Sequence, residues 1–102
     1  MKRKRTTIQE ARQFLQGVDP SVAFYINGGG LVNSLEELAA ALVSMEDQTY
    51  KFHANSDKND FANWIKEIVK DQNLAKEMLR ARNRTSAARK VSSRIQLLKE
   101  MI

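Results

Sequence analysis

Apolar residues recur three or four positions apart along most of the chain, and two of these stretches begin with a helix start signal. Thr7 with Glu10, and Ser34 with Glu37, fit the capping box, in which a hydroxyl and a carboxylate satisfy the first amides of a helix. The apolar positions after each box lie on one face of an amphipathic helix. We therefore predict one helix that begins after Thr7 and stops at Gly17, and a second that begins after Ser34.

The segment NDFANWIKEIVK is the clearest amphipathic helix in the sequence. Its apolar residues form one broad stripe at helical spacing: Phe61, Trp64, Ile65, Ile68 and Val69. We expect the first four of them to meet the apolar face of the preceding long helix in the core. That face comprises Leu35, Leu38 and Leu42.

Two shorter helices are predicted on either side of this segment. EDQTYKFHAN supplies Tyr50 and Phe52 as core candidates. LAKEMLRAR follows Asp71 and Asn73, either of which can cap a helix. Its predicted inward residues are Leu74, Ala75, Met78 and Leu79.

The stretch SVAFYINGGGLVNS interrupts the helical pattern. Three successive glycines cannot hold a regular element, so we predict a minimal β-hairpin or an irregular loop near residues 23–32. A glycine loop that leads into a helix can bind an anion, but this one lacks the Gly-Lys-Ser/Thr of a P-loop. Glu36 and Glu37 would also repel a phosphate, and a tight turn is the favoured interpretation.

The C-terminal segment carries apolar residues in steps of 3, 4, 3 and 4, which gives two heptads of an a/d seam. The seam consists of Ala88, Val91, Ile95, Leu98 and Ile102. A helix cannot bury such a stripe alone, so it either packs on the rest of the chain or pairs with a second copy.

Together these patterns predict an all-α protein, a compact bundle of five or six short helices. The 102 residues suffice for one modest core. We divide the chain into a basic N-terminal arm (1–6), a helical domain (7–83) and a C-terminal basic amphipathic helix (84–102). Because no apolar run is long enough to span a membrane and no hydrophobic signal region follows the basic N-terminus, we expect a cytoplasmic protein without a membrane partner.

Charge is distributed unevenly along the chain. Residues 1–12 carry +4, residues 13–75 carry −5, and residues 76–102 carry +6, which sums to the net charge of +5. Basic ends around an acidic body suggest an acidic partner, such as nucleic acid, an anionic surface or another protein. Alternatively, both ends are solvated basic segments that the acidic body of the same molecule partly neutralises.

Arginine recognises phosphate well through its bidentate fork, and eight of the thirteen basic residues in the two end segments are arginines. No helix-turn-helix, zinc-finger or RNA-recognition signature accompanies them, so contacts would be to the backbone and independent of base sequence. The candidate nucleic-acid contacts are Lys2, Arg3, Lys4, Arg5, Arg80, Arg82, Arg84, Arg89, Lys90 and Arg94.

The segment HANSDKNDFANWIK contains the only histidine and is the first candidate for chemistry. His53, Asp57 and Asp60 could hold a metal ion, but no second histidine at ligand spacing supports such a site. A calcium loop fails as well, because Ala62 and Ile68 stand where glycine and glutamate are required. The favoured interpretation is a helix-to-helix corner, since serine, asparagine and aspartate cap helices.

No histidine or carboxylate is linked to a nucleophile by any recognisable spacing. We therefore expect no catalytic residue, no resident metal or cofactor, and no enzymatic activity.

Three stretches, AFYINGG, SLEELAAAL and YKFHANSDKNDFANWIKEIVKDQNLAKEM, resemble a small, mostly archaeal domain family of uncharacterised function whose core reads HxNxxKNDFxxWI. The resemblance covers about residues 23–79. It implies a compact helical unit but no reaction, cofactor or partner. It also implies a distinctive corner formed by His53, Asn55, Asn59, Asp60, Phe61 and Trp64.

The leading hypothesis is a non-enzymatic binding protein whose basic termini contact nucleic-acid phosphates. The alternative is an assembly module that forms a homodimer or docks to a partner protein through the C-terminal seam.

Overall fold

The computed structural model describes residues 5–102 and forms a helical bundle with one small hairpin. Its helices are α1 (Ile8–Leu15), α2 (Leu35–Ser44), α3 (Asp47–His53), α4 (Asp60–Trp64), α5 (Gln72–Arg80) and α6 (Arg84–Glu100). Two-residue strands β1 (Phe24–Tyr25) and β2 (Leu31–Val32) form the hairpin, and a 3₁₀ turn (Pro20–Val22) precedes it. The predicted all-α bundle with a minimal hairpin is confirmed. The predicted contacts of Lys2, Arg3 and Lys4 lie outside the described residues.

Local side-chain hydrogen bonds cap the N-termini of the helices, as the sequence indicates. At α1 the capping box is complete, because Thr7 Oγ1 accepts from the Glu10 amide at 3.1 Å and Glu10 Oε1 accepts from the Thr7 amide at 3.0 Å. At α2 the Ser34 hydroxyl accepts from the Glu37 amide at 3.1 Å. The Glu37 carboxylate, however, accepts from the amide of Asn33, one residue earlier than in a capping box.

The hairpin is antiparallel and buries one face. Phe24 pairs with Val32 on the buried face, whereas Tyr25 pairs with Leu31 on the solvent face. The turn uses Gly28, Gly29 and Gly30 at φ of 93°, 121° and 121°, a region that residues with a Cβ rarely adopt.

The amphipathic segment after Asn59 is not one α-helix. α4 continues into a π-helical turn (Ile65–Val69), in which the Lys70 amide donates to the Ile65 carbonyl at 2.7 Å, five residues back. Lys70 then adopts a left-handed conformation, with φ of 73°, and the chain turns into α5. The apolar stripe still faces inward, with Ile68 partly buried and the other four residues buried.

The C-terminal helix is part of the core and not a separate unit. α6 lies against α1, α2 and α5, and α2 makes its most extensive contacts with α6. Four seam residues, Ala88, Val91, Ile95 and Leu98, are buried in the same apolar cluster as the α2 leucines. Of the two alternatives, α6 therefore packs on its own chain. Of the five seam residues only Ile102 remains exposed.

Two predicted core residues face solvent. Phe52 is 50% exposed and Leu79 is 65% exposed, because α3 turns Tyr50 and His53 inward and α5 buries the narrower face that contains Met78. None of the helices within residues 5–102 combines the length and apolarity needed to cross a bilayer.

Candidate functional site

His53 ends α3 and joins three parts of the fold. Its Nδ1 lies 2.9 Å from Asp60 Oδ2 at the start of α4, and its Nε2 accepts from the Asn27 amide of the hairpin turn at 2.9 Å. The residue is 5% exposed. Phe24, Phe52 and Phe61 surround it with ring centroids at 4.9, 5.1 and 5.3 Å.

The partners of the imidazole define its protonation. A backbone N–H can only donate, so Nε2 must carry a lone pair, and the proton of the neutral ring lies on Nδ1 and points to Asp60. Burial raises the pKa of Asp60, but hydrogen bonds from His53 and Lys58, with the Lys58 charge, outweigh it and leave the pKa below its usual 3.8. Asp60 is therefore ionised at neutral pH, which fixes the histidine tautomer.

Asn55 and Asn59 close the turn between α3 and α4. The Asn55 amide group donates to the Lys51 carbonyl at 2.9 Å, and its oxygen accepts from the Asp57 amide at 2.9 Å. Asn59 caps α4 by accepting from the Ala62 amide at 3.0 Å. The predicted corner, in which polar residues end one helix and begin the next, is confirmed.

Trp64 anchors the same corner to the base of the hairpin. Its indole N–H donates to the Val22 carbonyl at 2.8 Å, while its ring meets Phe24 edge-on at 6.1 Å. A buried indole with its N–H satisfied in this way is an architectural group.

The three residues considered for a metal site do not converge. His53 and Asp60 are in contact, but Asp57 lines a separate cleft with Lys58 and Arg82. Within residues 5–102 no cluster of three His, Asp or Glu side chains could ligate an ion. The chemistry of the corner is thus that of one hydrogen-bonded histidine–carboxylate pair.

A second candidate is the groove between α5 and α6, with a volume of about 300 Å³. We call it the α5–α6 groove. It is lined by Asn73, Leu74, Glu77, Arg89, Lys90, Ser93, Arg94 and Leu97.

Arg94 and Asp71 form a bidentate ion pair beside this groove. Arg94 Nε lies 2.7 Å from Asp71 Oδ2, and Nη2 lies 2.9 Å from Oδ1. The Arg94 side chain is 10% exposed and that of Asp71 is 1% exposed, so the pair is buried. Asp71 also caps α5 by accepting from the Leu74 amide.

The same arginine also contacts Thr6, near the N-terminus. Arg94 Nη2 donates to Thr6 Oγ1 at 3.0 Å, and the Asn73 amide group lies 3.5 Å from that hydroxyl. Arg5, which is exposed, precedes this anchor. Thr6 therefore lies next to Arg94, which lines the α5–α6 groove, although the two residues are 88 positions apart in sequence.

Three of the residues predicted to contact phosphate form ion pairs within the protein. Arg94 pairs with Asp71, and Lys90 lies 3.0 Å from Glu77. Arg84 lies 2.8 Å from Asp47 and donates to two carbonyls at the end of α2, which it caps. These acids lie 13 to 37 residues away along the chain, so no local pattern could reveal them.

The remaining candidates are accessible but do not all share one face. Arg89 lines the α5–α6 groove, and Arg80 is 71% exposed beside it, where it lies 3.5 Å from Glu77. Arg82 borders the cleft that contains Asp57. Arg89 and Arg82 make no ion pair with other residues in the described range.

The chain was compared with protein-family models, curated proteins and solved structures, and none of them matches it.

Proposed function

We propose that this protein is a non-enzymatic binding protein that contacts nucleic-acid phosphates through its N-terminal arm and the rim of the α5–α6 groove. The contacting residues are Lys2, Arg3, Lys4, Arg5, Arg80 and Arg89. Binding is electrostatic and independent of base sequence.

The observation that carries the proposal is the contact between Thr6 and Arg94. It joins the two basic ends of the chain, whose charges of +4 and +6 flank the −5 body in the sequence. Arg5, the described cation of the arm, and the exposed arginines of the groove rim are thus brought to one region of the surface. A concentrated positive region attracts a polyanion more strongly than the same charges spread over the molecule.

The chemistry of the region favours the phosphate backbone over the bases. In the described range two aromatic residues are at least half exposed, Tyr25 of the hairpin and Phe52 of α3. None lines the α5–α6 groove, so the groove offers no ring on which a base could stack. Arg80 and Arg89 instead offer guanidinium forks suited to phosphate oxygens.

Glu77 limits the charge inside the groove. Its carboxylate accepts a hydrogen bond from Lys90 Nζ at 3.0 Å and lies 3.5 Å from Arg80 Nη1. The negative charge of Glu77 thus offsets positive charge along the inner wall of the groove. Affinity should therefore come from the arm and the outer rim, where Arg89 has no acidic partner within residues 5–102.

The test is duplex DNA binding measured from about 50 mM to about 200 mM salt. Wild-type protein should bind at low salt, and its affinity should fall steeply as salt rises because condensed counterions are released. The double variant Arg80→Ala/Arg89→Ala should bind more weakly, with a logarithmic salt slope about 2 units smaller, since each lost phosphate contact removes about one unit.

The matched control is Lys51→Ala/Lys66→Ala, which removes two exposed charges from elements that do not line the groove. It should keep most of the affinity and the slope. Equal losses in both double variants would assign binding to net charge alone, and no binding at low salt would overturn the proposal.

A further inference from the structure

The link between His53 and the hairpin depends on an imidazole nitrogen without a proton. Nε2 accepts from the Asn27 N–H at 2.9 Å, and the Asn27 amide has no lone pair to offer in return. Nδ1 already donates its proton in the hydrogen bond to Asp60. A second ring proton has only Nε2 to occupy, where it would point at the hydrogen of the Asn27 amide.

We propose that His53 is a proton-operated latch, which holds the hairpin turn when neutral and releases it when protonated. The step is the addition of one solvent proton to Nε2, which forms an N–H bond and breaks the hydrogen bond from Asn27. The inference goes beyond the proposed function and is independent of it.

The charged groups around the ring make the release local. Asp60 of α4 stays bonded to Nδ1 and becomes the counter-ion of the imidazolium. Lys58 lies 3.0 Å from the same carboxylate oxygen and 4.7 Å above the Phe52 ring, so it opposes protonation but keeps Asp60 in place. The hairpin contributes Asn27 and Phe24, neither of which is charged, and therefore loses a bond without gaining one.

The turn that would be released is held by few other contacts. Its own bonds are Gly29 N–H to the Ile26 carbonyl at 2.9 Å and Ile26 N–H to the Gly30 carbonyl at 3.0 Å. β1 and β2 have only two residues each, and isolated hairpins are marginal in water. The base of the hairpin is held separately, by the Trp64 indole on the Val22 carbonyl.

The test is amide hydrogen exchange and two-dimensional NMR between about pH 8 and about pH 5. The protection factor of the Asn27 amide should fall about tenfold, consistent with the loss of one hydrogen bond, at the same midpoint as the His53 ring resonances. Protection of α4 and α6 should not change. Asn27 protection that is constant over this range, or loss of protection throughout the protein, would overturn the proposal.

His53→Gln is the first variant, because its amide oxygen can accept from Asn27 but does not titrate. Its Asn27 protection should be independent of pH. Asp60→Asn is the second, and it should move the release to lower pH because the imidazolium loses its counter-ion. A pH-dependent release that persists unchanged in a folded His53→Gln protein would contradict the assignment to His53.

Discussion

Arg94 shows how much of this fold depends on single side chains. Its guanidinium satisfies a buried carboxylate, orients the residue that caps α5, and holds the hydroxyl of Thr6. A pair this deeply buried gains little net energy while intact, but it leaves an uncompensated charge when one partner is removed. His53 similarly has both ring nitrogens bonded, to Asp60 and to Asn27.

Replacing Arg94 alone should therefore be costly. Arg94→Met should lower the free energy of unfolding by about 3–5 kcal/mol, because Asp71 remains charged in the interior. The double variant Asp71→Asn/Arg94→Met should be more stable than Arg94→Met, since asparagine still caps α5 and carries no charge. Urea denaturation would measure both, and equal stabilities would contradict the buried-charge account.

Asp60 should contribute an acid-sensitive part of the stability. Its folded pKa lies below 3.8, so the contribution is complete above that value and disappears as the pH falls through the folded pKa. Stability of the wild type should therefore fall more steeply below pH 3.8 than that of Asp60→Asn. Unfolding free energies measured at acidic pH test this, with Asp57→Asn as an exposed control on the same loop.

At the scale of elements, local patterns determine where helices begin and which faces are buried. The caps at Thr7, Ser34 and Asp71 were all predictable, because each acts within three residues along the chain. The π-helical turn after α4 was not predictable, since the helical spacing of apolar residues continues through it. Only the backbone hydrogen bond from the Lys70 amide to the Ile65 carbonyl distinguishes it from an α-helix.

Lys70 should be a site of stored backbone strain. Its left-handed φ of 73° disfavours a residue with a Cβ, so Lys70→Gly should raise the free energy of unfolding by about 0.5–1 kcal/mol. Lys66→Gly, within the helical turn, should instead lower it by about 1 kcal/mol. Thermal or urea unfolding would separate the two, and destabilisation by Lys70→Gly would show that the lysine side chain itself holds the turn.

At the scale of the whole molecule, ion pairs between the α5 region and α6 neutralise some of the basic residues that the sequence concentrates near the C-terminus. Lys90 and Arg94 pair with acidic residues that only the folded chain brings near them. Four of the five seam residues are buried in the core. Sequence reasoning found the basic ends and the corner around His53. It could not assign each charge to solvent or to an internal partner, because partner choice depends on tertiary contacts.

The arm is the part of the proposed interface with the most charge. Replacing Lys2, Arg3 and Lys4 with glutamine should weaken duplex binding and reduce the logarithmic salt slope by about 3 units, since three cations are lost. The Thr7 capping box and the Thr6 contact are left in place. Unaltered binding by this variant would remove the arm from the interface.

The most direct test of the central claim is to map the interface itself. Amide chemical shifts should be recorded as a short DNA duplex is added at low salt. The proposal predicts that the largest changes cluster at Arg5, Thr6, Arg80, Arg89 and Ser93, around the α5–α6 groove, and that they reverse when salt is added. Changes centred on the hairpin or on the α3–α4 corner, or no changes at all, would contradict it.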